Sequence, residues 1–204
     1  MLTVSADRDD VERMLGAGGL ACPACGGLLA GWGRARERQV RGLEGVGRLM
    51  PRRARCRGCG RTHVLLPVTC LSRRADEAAV IGRALEAKAA GAGHRVIAEA
   101  LGRPASTVRG WLRALAARAE QVRPVFTALA ASLVTDPPLP AAAGSPVGDA
   151  VAAIAAAAAA AARFLAVAEV ARWHLAAAVT GGLLLAPSWA AGMINTSWPW
   201  AVSW

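Results

Sequence analysis

The sequence predicts a small β ribbon, then an all-α region, then an Ala-rich C-terminal helix. Three observations predict this order. Four of the five cysteines form two matched C-x2-C pairs, and the segments between them alternate between apolar and polar residues. A helical periodicity begins near residue 73, and an unbroken alanine run occupies residues 155–162.

Positive charge is concentrated in the first two of these regions. The formal net charge is +10, yet residues 20–125 hold 20 of the 24 Arg and Lys against 7 of the 14 Asp and Glu. A block with this excess is typical of a protein that binds a polyanion, most often nucleic acid. The alternative is a solvated basic surface that only aids solubility.

The cysteine pairs indicate a metal site. Residues 1–19 are acidic and have no continuous apolar core, so we do not expect a signal peptide, and we expect a cytoplasmic, nucleoid-associated protein. In a reducing compartment, paired cysteines are better interpreted as metal ligands than as disulfides. Two C-x2-C turns, each followed by glycine, supply four soft ligands in a tetrahedron, which favours Zn²⁺. The predicted ligands are Cys22, Cys25, Cys56 and Cys59.

Two alternatives to this ligand set arise, and one cysteine lies outside it. A redox dithiol would normally need one C-x2-C in a βαβ setting, whereas this chain has two. His63 could replace a cysteine, but at the start of a predicted strand it is more often a surface residue or a neighbour of a ligand. Cys70 is left over, and we interpret it as a small buried hydrophobic residue.

The segments around the pairs predict a zinc ribbon over residues 20–70. "LLAGWGRARERQVRG" and "RLMPRRARC" suit a β-hairpin or meander, and "THVLLPV" a further strand that ends at Pro67. The metal would stand in for a core too small to fold alone. Ten arginines lie between Arg34 and Arg61, against two glutamates, and those nearest the second pair are predicted to hold DNA phosphates: Arg52, Arg53, Arg55 and Arg57.

The next region predicts a helix-turn-helix. A first helix is expected to begin at Asp76 as its N-cap and to stop near Gly91. In "GHRVIAEALGRPASTVRGWLRAL", the turn falls at Gly102, and the second helix buries a stripe at i, i+3, i+4 and i+7. This stripe consists of Val108, Trp111, Leu112 and Leu115.

The opposite face of that second helix, predicted over residues 107–118, is expected to enter a DNA major groove. Short polar groups and cations look outward there, in the manner of a recognition helix. Position ten of the pattern is usually apolar but is arginine here. The predicted DNA-contacting residues are Arg103, Ser106, Thr107, Arg109 and Arg113. The alternative is a helical packing module without DNA contact.

Taken together, "CPACGGLLAGWGRARERQVRG", "RRARCRGCGRTHVLLP" and "GHRVIAEALGRPASTVRGWLRAL" resemble an uncharacterised actinobacterial family of zinc-ribbon, helix-turn-helix proteins associated with mobile elements. The order of parts is also similar to the N-terminal DNA-binding region of some insertion-sequence transposases. The resemblance covers about residues 20–120. It implies DNA binding at transposon ends and supplies no enzymatic activity.

The C-terminal third predicts a Pro/Gly/Ala-rich linker, one helix of about 25–30 residues and a Trp-rich tail. We expect the helix to mediate self-association or contact with a transposase. We do not expect a membrane partner, because glycine, proline and asparagine interrupt the uncharged segment from Trp173 onward. The predicted divisions are an N-terminal extension (1–19), zinc ribbon (20–70), helix-turn-helix domain (73–134), linker (135–149), Ala-rich helix (150–182) and tail (183–204).

These patterns predict a sequence-specific binder of double-stranded DNA and not an enzyme, and the resemblance implies that it is an accessory or regulator of a mobile element. A transposase needs a carboxylate cluster that holds two metal ions, and the only acids after residue 125 are Asp136, Asp149 and Glu169. Two alternatives remain. One is a transcriptional regulator of host genes, and the other is a zinc-ribbon interaction adaptor that binds no DNA.

Overall fold

A computed structural model describes residues 1–137 and 140–189. A small β region that contains the four paired cysteines is followed by a helical region, which confirms the coarse order that the sequence predicts. The strands are β1 (Leu2–Val4), β2 (Leu29–Arg34), β3 (Arg38–Arg41), β4 (Val46–Leu49), β5 (Arg52–Cys56) and β6 (Thr62–Pro67). The helices are α1 (Arg8–Gly16), α2 (Ala78–Ala89), α3 (His94–Leu101), α4 (Ala105–Ala116), α5 (Ala119–Leu133), α6 (Pro146–Leu165) and α7 (Arg172–Val179).

Four strands form one sheet in the order β1-β6-β5-β2. β5 pairs antiparallel with β2 and with β6, while β3 and β4 form a separate antiparallel hairpin. The sequence had suggested a hairpin or meander between the cysteine pairs, and the structure has both a hairpin and a sheet there. Pairing of β2 with β5 brings the two cysteine turns to the same end of the sheet, because Leu29 lies opposite Cys56.

The first residues belong to this sheet. The predicted N-terminal extension, residues 1–19, contains β1, which runs parallel to β6 with Leu2 opposite Leu65. α1 is capped by Asp7, whose carboxylate accepts a hydrogen bond from the Asp9 amide. The resulting small core also includes two of the cysteines and comprises Leu2, Val4, Val11, Leu20, Cys22, Leu29, Ala54, Cys56 and Leu65.

The helical region has a larger, continuous core to which α2 through α7 all contribute. Ile81, Leu85, Phe126, Ile154 and Leu175 are among its fully buried side chains. α6 packs along α5 and is buried over much of its length because its alanines allow close approach. This packing uses most of the Ala-rich surface inside the chain.

The Ala-rich segment is not one helix of 25–30 residues. α6 starts earlier than the predicted residue 150, with Ser145 as its N-cap, and the Asp149 carboxylate accepts a hydrogen bond from the Ala143 amide. It ends at Leu165, where Ala166 adopts a left-handed conformation with φ of 54°. The chain then turns into α7, which ends at Val179, shortly before Gly181 and Gly182. The sequence does not indicate that the helix ends here, because left-handed positions at helix C-termini usually hold glycine and this one holds alanine.

α7 packs directly on α2 at a glycine. The indole of Trp173 fills the space beside Gly82 that any larger residue would occupy, and its Nε1 donates to Glu86 Oε1 at 2.9 Å. Arg172 forms an ion pair with the same carboxylate at 3.3 Å. The C-terminal third is thus built into the helical core. Most of the predicted Trp-rich tail lies outside the described residues.

One helix within residues 1–137 and 140–189, Pro146–Leu165, is long and apolar enough by length and composition to cross a membrane. In this structure 56% of its most apolar window is buried against the rest of the chain. Burial of this kind is what a core helix of a globular protein shows, so the helix is weak evidence for a membrane.

Candidate metal centre and basic surface

The four paired cysteines converge on one point. Their sulfur atoms all lie within 4.8 Å of one another, with Cys22 Sγ 3.8 Å from Cys59 Sγ and Cys25 Sγ 3.5 Å from Cys56 Sγ. A tetrahedral ion bound at a metal–sulfur distance of about 2.3 Å places its sulfur ligands about 3.8 Å apart. The spacing therefore fits one metal ion such as zinc.

Each pair sits on a tight turn that ends in a glycine. The Gly26 amide donates to Cys22 O at 2.8 Å, and the Gly60 amide donates to Cys56 O at 3.1 Å. Gly26 and Gly60 have φ of 71° and 72°, a left-handed conformation that L side chains rarely adopt. These turns place the two sulfurs of each pair side by side.

Backbone amides also point at the sulfurs. The amides of Gly58 and Cys59 donate to Cys56 Sγ at 3.3 and 3.4 Å, and the Ala24 amide donates to Cys22 Sγ at 3.4 Å. Such bonds favour the thiolate form, which is the form that binds metal. No ion pair is needed for this effect, since the donors belong to the turns themselves.

The neighbouring thiols shift one another's pKa values in opposite directions. The Cys59 amide, with help from the neighbouring thiols and against burial, lowers the pKa of Cys56 to about 6. At Cys25 the Gly27 amide acts in the same direction, but the thiols of Cys59 and Cys56 outweigh it and raise the pKa to about 11. Four adjacent thiols cannot all ionise unless a cation neutralises them, which is the chemistry of a metal centre.

Gly27 is a site residue that the sequence did not single out. A Cβ added there would lie 3.0 Å from Cys56 Sγ and 3.4 Å from Cys25 Sγ. A side chain at the second glycine of "CPACGG" would therefore crowd the two sulfurs, whereas the first glycine serves the turn. Nothing in the sequence distinguishes these two requirements.

His63 and Cys70 lie outside the group of four. His63 is buried, its Nε2 lies 3.3 Å from Cys22 Sγ, and burial lowers its pKa. It is thus a neighbour of a sulfur, one of the two roles that the sequence left open. Cys70 is buried beside Val40 and Leu66, which confirms its interpretation as a small hydrophobic residue, and burial raises its pKa.

The ribbon arginines that we predicted as phosphate contacts differ in their surroundings. Arg52 forms an ion pair with Glu12 at 2.7 Å, and its side chain is 26% exposed. Arg53 is half-buried, whereas Arg55 and Arg57 are exposed. The sequence could not separate them, because the engaging carboxylate comes from α1, forty residues away.

α3 and α4 form a helix pair joined by a short turn. α3 ends at Leu101 and is capped by Gly102, which has φ of 60°, and the Arg103 amide donates back to Ala98 O at 2.9 Å. Pro104 precedes the first residue of α4. α4 buries Val108, Trp111, Leu112 and Leu115, which confirms the predicted stripe.

The predicted recognition residues on α4 lie on its free side. Ser106, Arg109 and Arg113 are exposed, and Thr107 is half-buried. Gly110 is exposed too, and a Cβ added there would meet no atom within 4 Å. The outer face of α4 is therefore basic, and at Gly110 no side chain projects from it.

Arg103 differs from the other predicted DNA contacts. Its side chain is 16% exposed, and its Nε donates to Asp76 Oδ1 at 2.6 Å, while its Nη2 donates to Gly42 O at 3.4 Å. Arg41 of β3 binds the other oxygen, Asp76 Oδ2, at 2.7 Å. Arg103 is thus engaged inside the molecule, which explains an arginine at a usually apolar position.

Asp76 was predicted as a helix cap and has another role. α2 begins after Glu77, and no side chain caps it. Asp76 is only 2% exposed and lies between two guanidinium groups, one from the β3–β4 hairpin and one from the α3–α4 turn. This Arg41–Asp76–Arg103 cluster joins the cysteine-containing region to the helix pair.

Comparison with protein families gives one match. A domain of unknown function, DUF6431, matches residues 22–111, the stretch from the first cysteine to Trp111 in α4. The matched stretch spans both cysteine pairs, the Asp76 cluster and most of the helix pair. No curated protein and no solved structure matches the chain.

Proposed function

We propose that this chain binds double-stranded DNA, with α4 as the recognition helix of a helix-turn-helix and a zinc-bound ribbon beside it. The observation that carries the proposal is the outer face of α4. It presents Arg109 and Arg113 one turn apart, next to the open Gly110, while its opposite face is buried. An exposed helix with cations and no bulk can approach base edges in a major groove.

The shape of the helix pair supports this assignment. α3 has eight residues and α4 has twelve, and the connection is a turn with a left-handed glycine, as in DNA-binding helix pairs. α2 packs against both helices and holds them in place. The second helix of such a unit is the one that reads DNA.

Uncompensated charge supports a polyanionic partner. Within the part of the chain that the structure describes, Arg55, Arg57, Arg109 and Arg113 form no ion pair with a carboxylate. Cations left free in this way are available to phosphate, and counterion release would make the affinity fall steeply with salt.

Zinc is the ion we propose for the four cysteines, because four thiolates in a tetrahedron are a typical structural zinc site. Cys22, Cys25, Cys56 and Cys59 would hold it. The ion would fix the two turns and support the ribbon arginines, and it has no catalytic role in the proposal.

The proposed biological context is a mobile element, as an accessory or regulator acting at its ends, with regulation of host genes as the alternative. The same protein surface would serve either role, so the DNA sequence it selects separates them. Selection from random duplexes should return one motif, which is then located either at transposon termini or at promoters.

The direct test replaces the outer face of α4. We expect Arg109→Ala with Arg113→Ala to weaken binding to the selected duplex at least tenfold, because one bidentate guanine contact contributes about 1–3 kcal/mol. The control is Arg123→Ala with Arg163→Ala, which removes the same charge from exposed positions on α5 and α6. Equal losses for the two double variants would show that net charge, and not α4, carries the binding.

A further inference from the structure

Trp32 on β2 is the most unusual exposed side chain of the ribbon. It is 53% exposed, whereas the other tryptophans in the described ranges, Trp111, Trp173 and Trp189, are 7% exposed or less. An exposed indole presents a flat aromatic surface on which another planar group can stack. The proposed duplex contact through α4 does not use this residue.

The backbone leaves the ring open. Trp32 lies between Gly31 and Gly33, and the pairing of β2 with β5 shifts register between Gly31 and Arg34. Irregularities of this kind re-aim a side chain away from the regular sheet. Neither neighbour along the strand has a side chain that could cover the ring.

One guanidinium group lies over the ring. Arg55 Cζ on β5 is 4.9 Å from the Trp32 ring centroid, and its Nε donates to Gly60 O at 3.2 Å. This bond to the second cysteine turn holds the guanidinium against the indole. The second cysteine turn thereby positions Arg55 beside the Trp32 ring.

A depression of about 530 Å³ adjoins this pair, and Arg57, Gly58 and Gly60 contribute to its lining. No acidic residue lines it, and within residues 1–137 and 140–189 neither Arg55 nor Arg57 pairs with a carboxylate. The site therefore combines a flat aromatic surface with uncompensated positive charge, which is complementary to a base and its phosphate.

We infer that this face binds single-stranded DNA, with an unpaired base stacked on Trp32 and the adjoining phosphate held by Arg57. Stacking on an aromatic residue beside arginines is how proteins bind single strands. In a duplex the bases stack on one another, so their faces are not available to Trp32. The choice of DNA rests on the proposed function, whereas the stacking site rests on the ribbon alone.

The test measures binding of a thymidine oligonucleotide of about 12 nucleotides to the full zinc-loaded chain at low salt. We expect Trp32→Ala to weaken binding at least about tenfold and Trp32→Phe, which keeps an aromatic face, to weaken it less than about threefold. Native protein should show quenched tryptophan fluorescence with this strand, and Trp32→Phe should not. Trp32→Ala should leave binding of the selected duplex unchanged.

The inference would be overturned if the single strand did not bind, or if native protein and Trp32→Ala bound it equally. It would also be overturned if Trp32→Ala and Trp32→Phe lost the same affinity. A fourth contrary result is much tighter binding of an oligouridine RNA of the same length. The Arg109→Ala, Arg113→Ala variant separates the two sites. Loss of duplex binding with the single strand still bound supports the inference. If the native chain binds the strand but no duplex, only the proposed function of α4 fails.

Discussion

The cysteine ribbon and the helical region are stabilised in different ways. The ribbon core is small, and two of its buried members, Cys22 and Cys56, are themselves metal ligands in our assignment. The helical core is continuous from α2 to α7 and consists of aliphatic and aromatic side chains. A small region with so little apolar burial usually depends on a cross-link or an ion, whereas the helices are stabilised mainly by burial of apolar side chains.

The comparison also shows how the two regions are joined. Part of the contact is polar, since Asp76 binds Arg41 on one side and Arg103 on the other, and part is apolar, since Val68 packs against Ala178 of α7. Backbone bonds reinforce it, since the Arg41 amide donates to Ala75 O and the Glu77 amide donates to Arg41 O. Two regions with different cores are thus held in one arrangement, as the proposed contact of both with DNA would require.

Removal of the metal should produce the largest effect, and it should unfold the ribbon while the helical region stays folded. We expect purified protein to carry about one zinc per chain, and a chelator or Cys56→Ser to unfold the ribbon, because structural zinc contributes about 10 kcal/mol or more to such folds. Helical circular dichroism should persist while the ribbon becomes sensitive to protease. Cys70→Ser, at a buried cysteine outside the cluster, should retain the metal. A metal-free chain with a protected ribbon would contradict the ligand assignment.

Asp76→Asn should have the next largest effect. Removing the charge leaves two guanidinium groups facing a neutral amide, and breaking a buried ion pair costs about 3 kcal/mol even when one partner, here Arg41, is partly exposed. Chemical denaturation measures the loss. The control is Glu37→Gln, whose pair with Arg48 is exposed on both sides, and which should cost less than about 1 kcal/mol. Similar losses in the two variants would show that the cluster does not join the regions.

Gly82→Ala should destabilise the helical region by about 1–3 kcal/mol, because the added Cβ would overlap the Trp173 indole and force α7 away from α2. Thermal unfolding followed by circular dichroism measures this loss. Alanine normally stabilises a helix relative to glycine, so a loss here would report the packing of α7 on α2.

Gly110→Ala is the matched control for that substitution. It lies in a helix interior too, but its Cβ would meet no atom, so it should raise the free energy of unfolding by up to about 1 kcal/mol. If Gly110 admits DNA to α4, the same variant should bind the selected duplex more weakly although it is more stable. A stabilised variant with native affinity would show that DNA does not approach α4 at this position.

Much of the local structure follows from the sequence. The cysteine pairs, the strand that ends at Pro67, the turn at Gly102 and the buried stripe of α4 were all predicted from spacing and residue type. Each depends on residues that are close along the chain. The break at Ala166 and the pairing of β1 with β6 were not predicted, because neither has a local pattern that marks it.

The sequence by itself determined that four thiols would be presented in two turns and that an amphipathic helix pair would follow a basic ribbon. Only the tertiary structure decided which arginines are free and which are engaged, because the carboxylates that engage Arg52 and Arg103 come from α1 and from the segment before α2. The tertiary structure likewise left Trp32 exposed while it buried Trp111 and Trp173. Spacing and periodicity act over a few residues, whereas charge pairing and burial depend on which distant segments meet.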